Sequence, residues 1–554
     1  MKVDFRGSRV TSDRSLILSP WEFRSLPGAA PDLAAAKPKR VCRNLSIVGA
    51  VLLAWCLTAQ CEEPCAPCHP TEVAQFRHSP MGQSVGTPSV FTEARLIHKL
   101  SDSIITVQRK SAVLEHKLER HGVTAEYPVA YSVGAGIVGY SYIVRLGRYL
   151  FQSPVSYYTQ TQSWDFTPGY ETEPHLDFTH EITSGCLFCH TGSVNLVPGT
   201  ENQFAEPPFQ PISCDRCHGS PANHLRRPVP GSIVNPAELS PRQRDSVCEQ
   251  CHLEGEVRIL NPGRDWWDFQ AGRPNESVFV TYLRTSAGGA LRAVSQSELL
   301  AQSQCARQSG GRLWCGTCHN PHGTETNRAL AVRKVCLSCH SGLFASGGHP
   351  AASECVSCHM PRIRPTNVSH SAVTDHSIPR RPRAQQKDAD GSEPALKAWR
   401  EPDSALAPRD LGLAYFGLAA DSHDASALRR AYEILSQLPL DQRRDPPVEA
   451  DLASVLLQQD YPDLAIQMFA RASAQEPSNA RYAYCLGAAL GRSGKMGEAL
   501  KELRRSIQLD PSQPDPYLEL ARLYKKAGQD AESRRTIREY LRFMPQNIWL
   551  RSAE

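Results

Sequence analysis

The spacing of hydrophobic and polar positions changes along the chain and divides it into four regions. Residues 45–59, LSIVGAVLLAWCLTA, are one apolar run of fifteen, preceded by Lys37, Lys39, Arg40 and Arg43. A spanning helix needs about 20 apolar residues, so this run is short for one. A basic flank, a short apolar core and a small residue such as Ala59 make a secretory signal, so residues 1–60 read as a leader or an anchor. From about 100 to 160 the segments SIITVQRK, PVAYSV, YSYIVRLG and RYLFQSPVSYY are rich in β-branched and aromatic residues, which predicts a small β-rich insert. Gly134, Gly136 and Gly139 spell G-x-G-x-x-G there, but aromatic and β-branched residues follow where a helix would have to open, so they read as turn glycines. Residues 186–359 show neither period and predict short helices and long loops. Residues 379–407, containing PRRPRAQQKDADGSEP, read as a linker. Beyond them, small residues and prolines recur every 34 residues on Ala/Leu-rich helix.

Composition narrows the function classes. The 554 residues are 41% hydrophobic and 21% charged, ordinary for a folded chain. The formal net charge is only +4, which gives no argument for a nucleic-acid partner. The informative numbers are 42 Pro, 19 Cys and 19 His. Prolines imply irregular segments, and matched Cys and His counts point to metal or haem ligation.

Cys-x-x-Cys-His occurs seven times: Cys65–Cys68–His69, Cys186–Cys189–His190, Cys214–Cys217–His218, Cys248–Cys251–His252, Cys315–Cys318–His319, Cys336–Cys339–His340 and Cys355–Cys358–His359. This is the attachment signature of c-type haem. Two thiols three residues apart on a helical turn face the same way and reach the two vinyl groups. The His four residues after the first Cys shares that face and meets the iron as proximal ligand. Structural zinc would pair two such knuckles and leave one of seven over. Zinc and disulfides alike leave the invariant seven His unexplained. Seven covalent haems are therefore expected, attached outside the cytoplasm, in the periplasm or on the outer surface of a bacterium. Cys61, next to the leader, could carry a lipid and anchor the chain to a membrane. Cys305 reads as a buried thiol or a site beside a haem, and Cys485 as a small apolar residue in a repeat.

Twelve His remain for the distal side. His116 and His121 lie in a charged, strand-like stretch and are expected to face solvent; His423 falls in the helical region. The choices for seven distal ligands are His78, His98, His180, His224, His322, His349 and His376, with His175 and His370 in reserve. His322, three residues after His319, cannot turn back to the same iron and would serve a neighbouring haem. Only Met81 and Met360 could supply methionine ligation in this region. Six motifs fall within residues 186–359, about 29 residues each, too few to enclose each cofactor separately. The haems themselves should act as the core. The fold class follows: a multihaem cytochrome c domain over residues 61–378, mostly loops and short helices around stacked haems, joined to an all-α solenoid over 408–552. Pro477, Pro511 and Pro545, with Ala431, Ala465, Ala499 and Ser533, keep the 34-residue tetratricopeptide period. Such stacked helix pairs usually bind another protein, here a redox partner.

CGTCHNPH, CHMP ending at Pro361, TDH at Thr374–His376 and CDRCHGSPANH together resemble multihaem cytochromes c. The superfamily is that of hydroxylamine-oxidoreductase-linked cytochromes, nitrite reductases and their octahaem relatives, and the resemblance covers about residues 62–378. It implies close haem pairs, mainly bis-His ligation, and electron transfer. Two departures matter. No motif carries Lys in place of its His, as the catalytic haem of pentahaem nitrite reductases does. No Tyr occurs between Tyr282 and Tyr415, whereas hydroxylamine oxidoreductases modify their catalytic haem with a Tyr from a C-terminal segment. An electron-transfer protein is therefore the first reading. An oxidoreductase acting on a small nitrogen or sulfur oxyanion at a five-coordinate haem is the second, and an assembly scaffold the third.

Overall fold

The computed structural model describes residues 63–551, apart from 198–199, 201, 206–208, 286–291, 324–327, 345–353, 366, 369, 381–394, 403 and 423. The leader, Cys61, His349 and His423 lie outside the described residues. No described helix is long and apolar enough to cross a membrane.

The β element is much larger than the small insert expected. Nine strands form one antiparallel sheet: β1 (Val85–Gly86), β2 (Ala94–His98), β3 (Ser103–Lys110), β4 (Val113–Arg120), β5 (Val123–Val133), β6 (Gly139–Leu146), β7 (Tyr149–Gln152), β8 (Val155–Tyr158) and β9 (Ser163–Phe166). The order is β2-β3-β4-β5-β6-β8-β9, with β1 on β5 and β7 on β6. The sheet curls until its ends nearly meet, where the Trp164 indole donates to the Thr92 carbonyl at 2.9 Å. The period-2 pattern of β3 sets its face: Ser103, Ile105 and Val107 point inward, Ile104 and Thr106 outward. His121 and Gly122 form the two-residue turn between β4 and β5 with φ of 47° and 78°, as a type I′ hairpin requires. His121 is thereby at an exposed tip beside Asp102, 3.2 Å away.

His116 is a correction. It is fully buried, not solvent-facing. The charges of VLEHKLER hid the inner face shared by Leu114, His116 and Leu118, beside which Glu115 is buried as well. Its ring shares a 2.8 Å hydrogen bond with Ser153 Oγ and lies edge-on to Tyr142 and Trp164.

Around the motifs regular structure is sparse, as expected, and consists of short helices such as Ser184–His190, Asp215–His218 and Cys355–His359. A second sheet joins β10 (Val257–Leu260), β11 (Phe279–Arg284) and a late strand; between them in sequence, β12 (Arg362–Ile363) pairs with β13 (Val373–Thr374). The late strand, β14 (Leu396–Ala398), lies inside the stretch read as linker and pairs with β11.

The C-terminal helices form four antiparallel pairs. First helices at Pro446–Gln458, Ala480–Arg492 and Pro514–Lys526 keep the 34-residue spacing; the earlier pair, Ala407–Ser422 and Ala425–Ser436, departs from it. Ala431, Ala465, Ala499 and Ala453 are buried without exposure where helices touch. A Cβ on Gly487 would come within 2.7 Å of the Leu503 side chain, so the helices approach too closely there for a larger residue. The first pair shares a core with the second sheet: Val257, Ile259, Val280 and Tyr282 pack with Leu413, Tyr415, Phe416 and Leu452. A short helix after the last pair, Ile548–Arg551, meets the large sheet, where Trp549 donates to the Leu176 carbonyl at 2.9 Å and stacks under Arg120.

Candidate haem sites

Each motif is held as a helical turn. The amide of His69 donates to the Cys65 carbonyl at 2.8 Å, His218 to Cys214 at 2.9 Å, His319 to Cys315 at 2.9 Å and His340 to Cys336 at 3.0 Å. That i to i−4 bond puts the His side chain over the first Cys, as thioether attachment with proximal ligation requires. None of the fourteen motif Cys is in a disulfide. One connected cavity of about 3210 Å³ runs between motifs two to seven and is lined by residues from each, including His190, His252, His319, His340 and His359. Ordinary small-molecule sites hold about 300–1,000 Å³, so this volume suits several large cofactors. The donor set and its spacing fit covalently bound haem.

Three of the proposed distal His lie opposite a motif His. Ring centroids are 6.4 Å apart for His69 and His224, with planes 26° from parallel. They are 5.9 Å and 10° for His218 and His322, and 6.1 Å and 31° for His319 and His376. A metal–imidazole bond of roughly 2.0 Å and a ring radius of roughly 1.1 Å place two axial imidazoles of one iron roughly 6.2 Å apart. The Nδ1 atoms face inward to the protein: His218 Nδ1 donates to the Val234 carbonyl at 2.8 Å, His224 Nδ1 to Ser232 Oγ at 2.8 Å and His376 Nδ1 to the Thr374 carbonyl at 2.9 Å. His359 Nδ1 meets the Pro379 carbonyl at 3.0 Å and His78 Nδ1 the Ala74 carbonyl at 2.8 Å. Such bonds fix tautomer and ring orientation and leave Nε2 as the ligating atom. Burial lowers the basicity of His190, His252 and His322, which keeps each imidazole neutral with a lone pair for metal.

The remaining choices fare differently. His180 lines the cavity and leans on Tyr170, 4.2 Å between rings. His98 is buried in the sheet with both nitrogens engaged, Nδ1 with Ser101 Oγ at 2.7 Å and Nε2 with the Glu171 carbonyl at 3.3 Å, so the expectation of a distal role is corrected. Of the reserves, His175 packs against Trp549 and His370 pairs with Asp165 at 2.5 Å. His349 is outside the described residues.

Residues between the motif cysteines, unread in the sequence, tie the motifs together. Arg216, inside the third motif, stacks on Phe188 of the second and donates to its carbonyl at 2.8 Å. Gln250, inside the fourth, donates to the Arg216 carbonyl at 3.1 Å. Arg258 donates to the Gln250 carbonyl at 3.0 Å and reaches the Cys189 sulfur at 3.9 Å. Their types were visible, but only contact between distant segments gives them this role. The thiols also touch across motifs: Cys65 with Cys214, Cys189 with Cys251, Cys248 with Cys315, and Cys336 with Cys355. Cys217 lies near Cys248, and Cys318 and Cys305 near Cys336. Before haem attachment, burial and then Glu63 push the Cys214 thiol up to about 12, and burial pushes Cys217 to about 11.

Three family models match parts of the chain: tetratricopeptide repeat over residues 492–551, doubled CXXCH motif over 307–344, and cytochrome c554 and c-prime over 156–219. A curated relative, multiheme cytochrome MtrA of Shewanella baltica (strain OS185), is 23% identical over 181 residues, 30% of this chain and 54% of the relative. The chain thus spans about half the length of that relative. Among solved structures, YrrB, a TPR protein with an unusual peptide-binding site, is 17% identical with a TM-score of 0.22, covering 26% of this chain and 73% of that one. MamA from Desulfovibrio magneticus RS-1 is 18% identical with a TM-score of 0.23, covering 26% and 77%.

Proposed function

We propose that this chain, a multihaem c-type cytochrome with tetratricopeptide repeats, is an exported electron-transfer protein carrying seven covalent haems as a wire. When bound, haem supplies reversible one-electron chemistry; the chain supplies ligands, spacing and exclusion of water. The observation that carries the reading is the three motif-to-distal imidazole pairs with centroids 5.9–6.4 Å apart. We assign His69 and His224, His218 and His322, and His319 and His376 as axial pairs. Iron closed on both sides by His has no site for substrate, which suits electron transfer. Each of these pairs joins a motif to the segment following the next motif but one: His224 follows the third, His322 the fifth and His376 the seventh.

Thiol contacts order the wire. They connect motifs one, three, four, five, six and seven in series, with motif two branching from four. A redox partner docks at an end of this series, and the repeats brace the haem region rather than leaving their whole surface to a partner. A pyridine haemochrome assay against protein mass should return seven haems, and the ferric spectrum should be mainly low-spin. Three haems or fewer, or a mainly high-spin spectrum, sinks the reading.

A second reading rests on the histidine count. Four motif His, 190, 252, 340 and 359, lie outside the three assigned pairs, and three of the proposed distal His, 78, 180 and 349, are left to serve them. One iron would then take Met81 or Met360, which both line the cavity, or a small exogenous ligand. An open site would admit the oxidoreductase reading. Carbon monoxide titration of the reduced protein decides between them: one molecule bound per chain supports the open site, none supports a wire closed throughout.

A further inference from the structure

The inference rests on the wire reading and concerns where it ends. Motifs six and seven close the series of thiol contacts at one end; motif one, where Cys68 and His69 are exposed, closes it at the other. The two motifs adjoin, with the Cys336 and Cys355 side chains within hydrogen-bonding reach. The surface around them is cationic. Lys334 is exposed on the helix Arg328–Cys339, Arg362 and Arg364 are exposed just past the seventh motif, and Arg380 follows Pro379, whose carbonyl holds His359. Lys334, Arg364 and Arg380 form no ion pair with a carboxylate among the described residues. In the described parts of 328–340 and 354–380, Glu354 is the one exposed carboxylate; Asp375 is buried. Elsewhere Arg242 pairs with Glu276, Arg284 with Glu256 and Lys495 with Asp463. Unpaired charge of one sign around an exposed redox end steers and orients a partner of the opposite sign.

We propose that the face formed by Lys334, Arg362, Arg364 and Arg380 around motifs six and seven is the docking surface for an acidic redox protein. Electrons cross there, between the partner's centre and the last motifs. Attraction of this kind acts on encounter rate and fades as salt rises.

The test uses the full haem-loaded chain and a reduced plant-type ferredoxin as the acidic probe donor, with reduction followed by stopped flow. In the wild type the second-order rate should fall at least tenfold between about 10 mM and about 500 mM salt. The variant K334E/R364E should lose at least tenfold at low salt, while its haemochrome yield and ferric spectrum stay those of the wild type. A control of equal charge change, R534E/R538E on the repeat helix Asp530–Phe543, should stay within twofold. Hexaammineruthenium(II), a cationic donor, should not slow on the first variant. A rate unchanged in the first variant, or lowered equally by the control, overturns the docking surface. Failure of the haem reading would show separately, as absence of a haemochrome in the wild type.

Discussion

At the scale of single residues, chemistry was legible wherever a motif carries it and illegible wherever burial does. Seven copies of one five-residue pattern needed no fold to be read as haem sites. His322 could be sent to a neighbouring haem from its spacing alone, and it lies 5.9 Å from His218. Replacing His322 with Ala should therefore raise high-spin absorption and create carbon monoxide binding at the haem of the third motif, while the haemochrome yield stays constant. An unchanged spectrum would reject that pair. His116 shows the opposite case: its neighbours in sequence are charged, and only strand register decides that it faces inward. Burial lowers its pKa to about 3 from an ordinary 6.5. The unfolded chain thus takes up the proton first, below pH 6.5, and the folded chain only near pH 3. Stability is complete above 6.5 and falls by about 1.4 kcal/mol per pH step below it, until about pH 3. His116→Gln should flatten that acid dependence in denaturant titrations followed from pH 7 to 4; a slope equal to the wild type's would show that other groups set it.

At the scale of elements, hydrophobic period identified helices well and strands incompletely. The 34-residue recurrence located the repeat helices because one residue spacing repeats in contact after contact. The strands were read from about 100 to 160, yet they run from Val85 to Phe166. The strands outside that range, β1, β2 and β9, are two, five and four residues long, and each stands apart from the longer β-branched runs that carry the signal. Tight pairing across long sequence separations holds them instead. One such contact has a consequence for ligation. The turn between β8 and β9 presents Gln160, whose side-chain amide donates to the Ala372 carbonyl at 3.2 Å and whose carbonyl accepts from the Ala372 amide at 3.0 Å. On β9, Asp165 holds His370. Both grip the segment that ends in His376, opposite His319. Gln160 and Asp165 are positioning residues for that imidazole, since neither touches it. The double variant Q160A/D165A should loosen the segment by about 1–3 kcal/mol. Its ferric spectrum should gain a high-spin fraction that grows with temperature faster than in the wild type, and Gln160→Asn with Asp165 intact should recover part of the low-spin signal. Equal spectra at all temperatures would leave the turn with a purely structural role.

At the scale of the whole molecule, sequence suggested a haem region, a linker and a separate solenoid, and the packing joins them. No local pattern could have announced this, because the joining groups are hundreds of residues apart. Tyr127 on β5 donates to the Gln546 carbonyl at 2.8 Å, and Gln546 Nε2 returns a bond to the Glu126 carbonyl at 2.6 Å. Ser512 donates to Glu181 at 2.8 Å, and Arg551 to the Thr124 carbonyl at 2.9 Å. Trp549 is the centre of this contact: its indole nitrogen bonds the Leu176 carbonyl, Arg120 lies 3.6 Å above its ring, and His175 packs on its edge. At the other end the first helix pair shares its core with β10, β11 and β14, and Arg400 reaches Glu249 of the fourth motif at 2.7 Å. A solenoid held at both ends cannot open without exposing apolar surface of the sheet, so repeats and sheet should melt together. Thermal unfolding of the haem-loaded chain followed at 222 nm and by near-ultraviolet circular dichroism should give coincident midpoints. Trp549→Ala removes a cation–π contact and a hydrogen bond and should cost about 2 kcal/mol. If the two structures are one cooperative body, that substitution on the repeats lowers both midpoints by the same amount. If the repeats fold by themselves, the signals separate in the wild type, and Trp549→Ala moves the helical midpoint alone or neither.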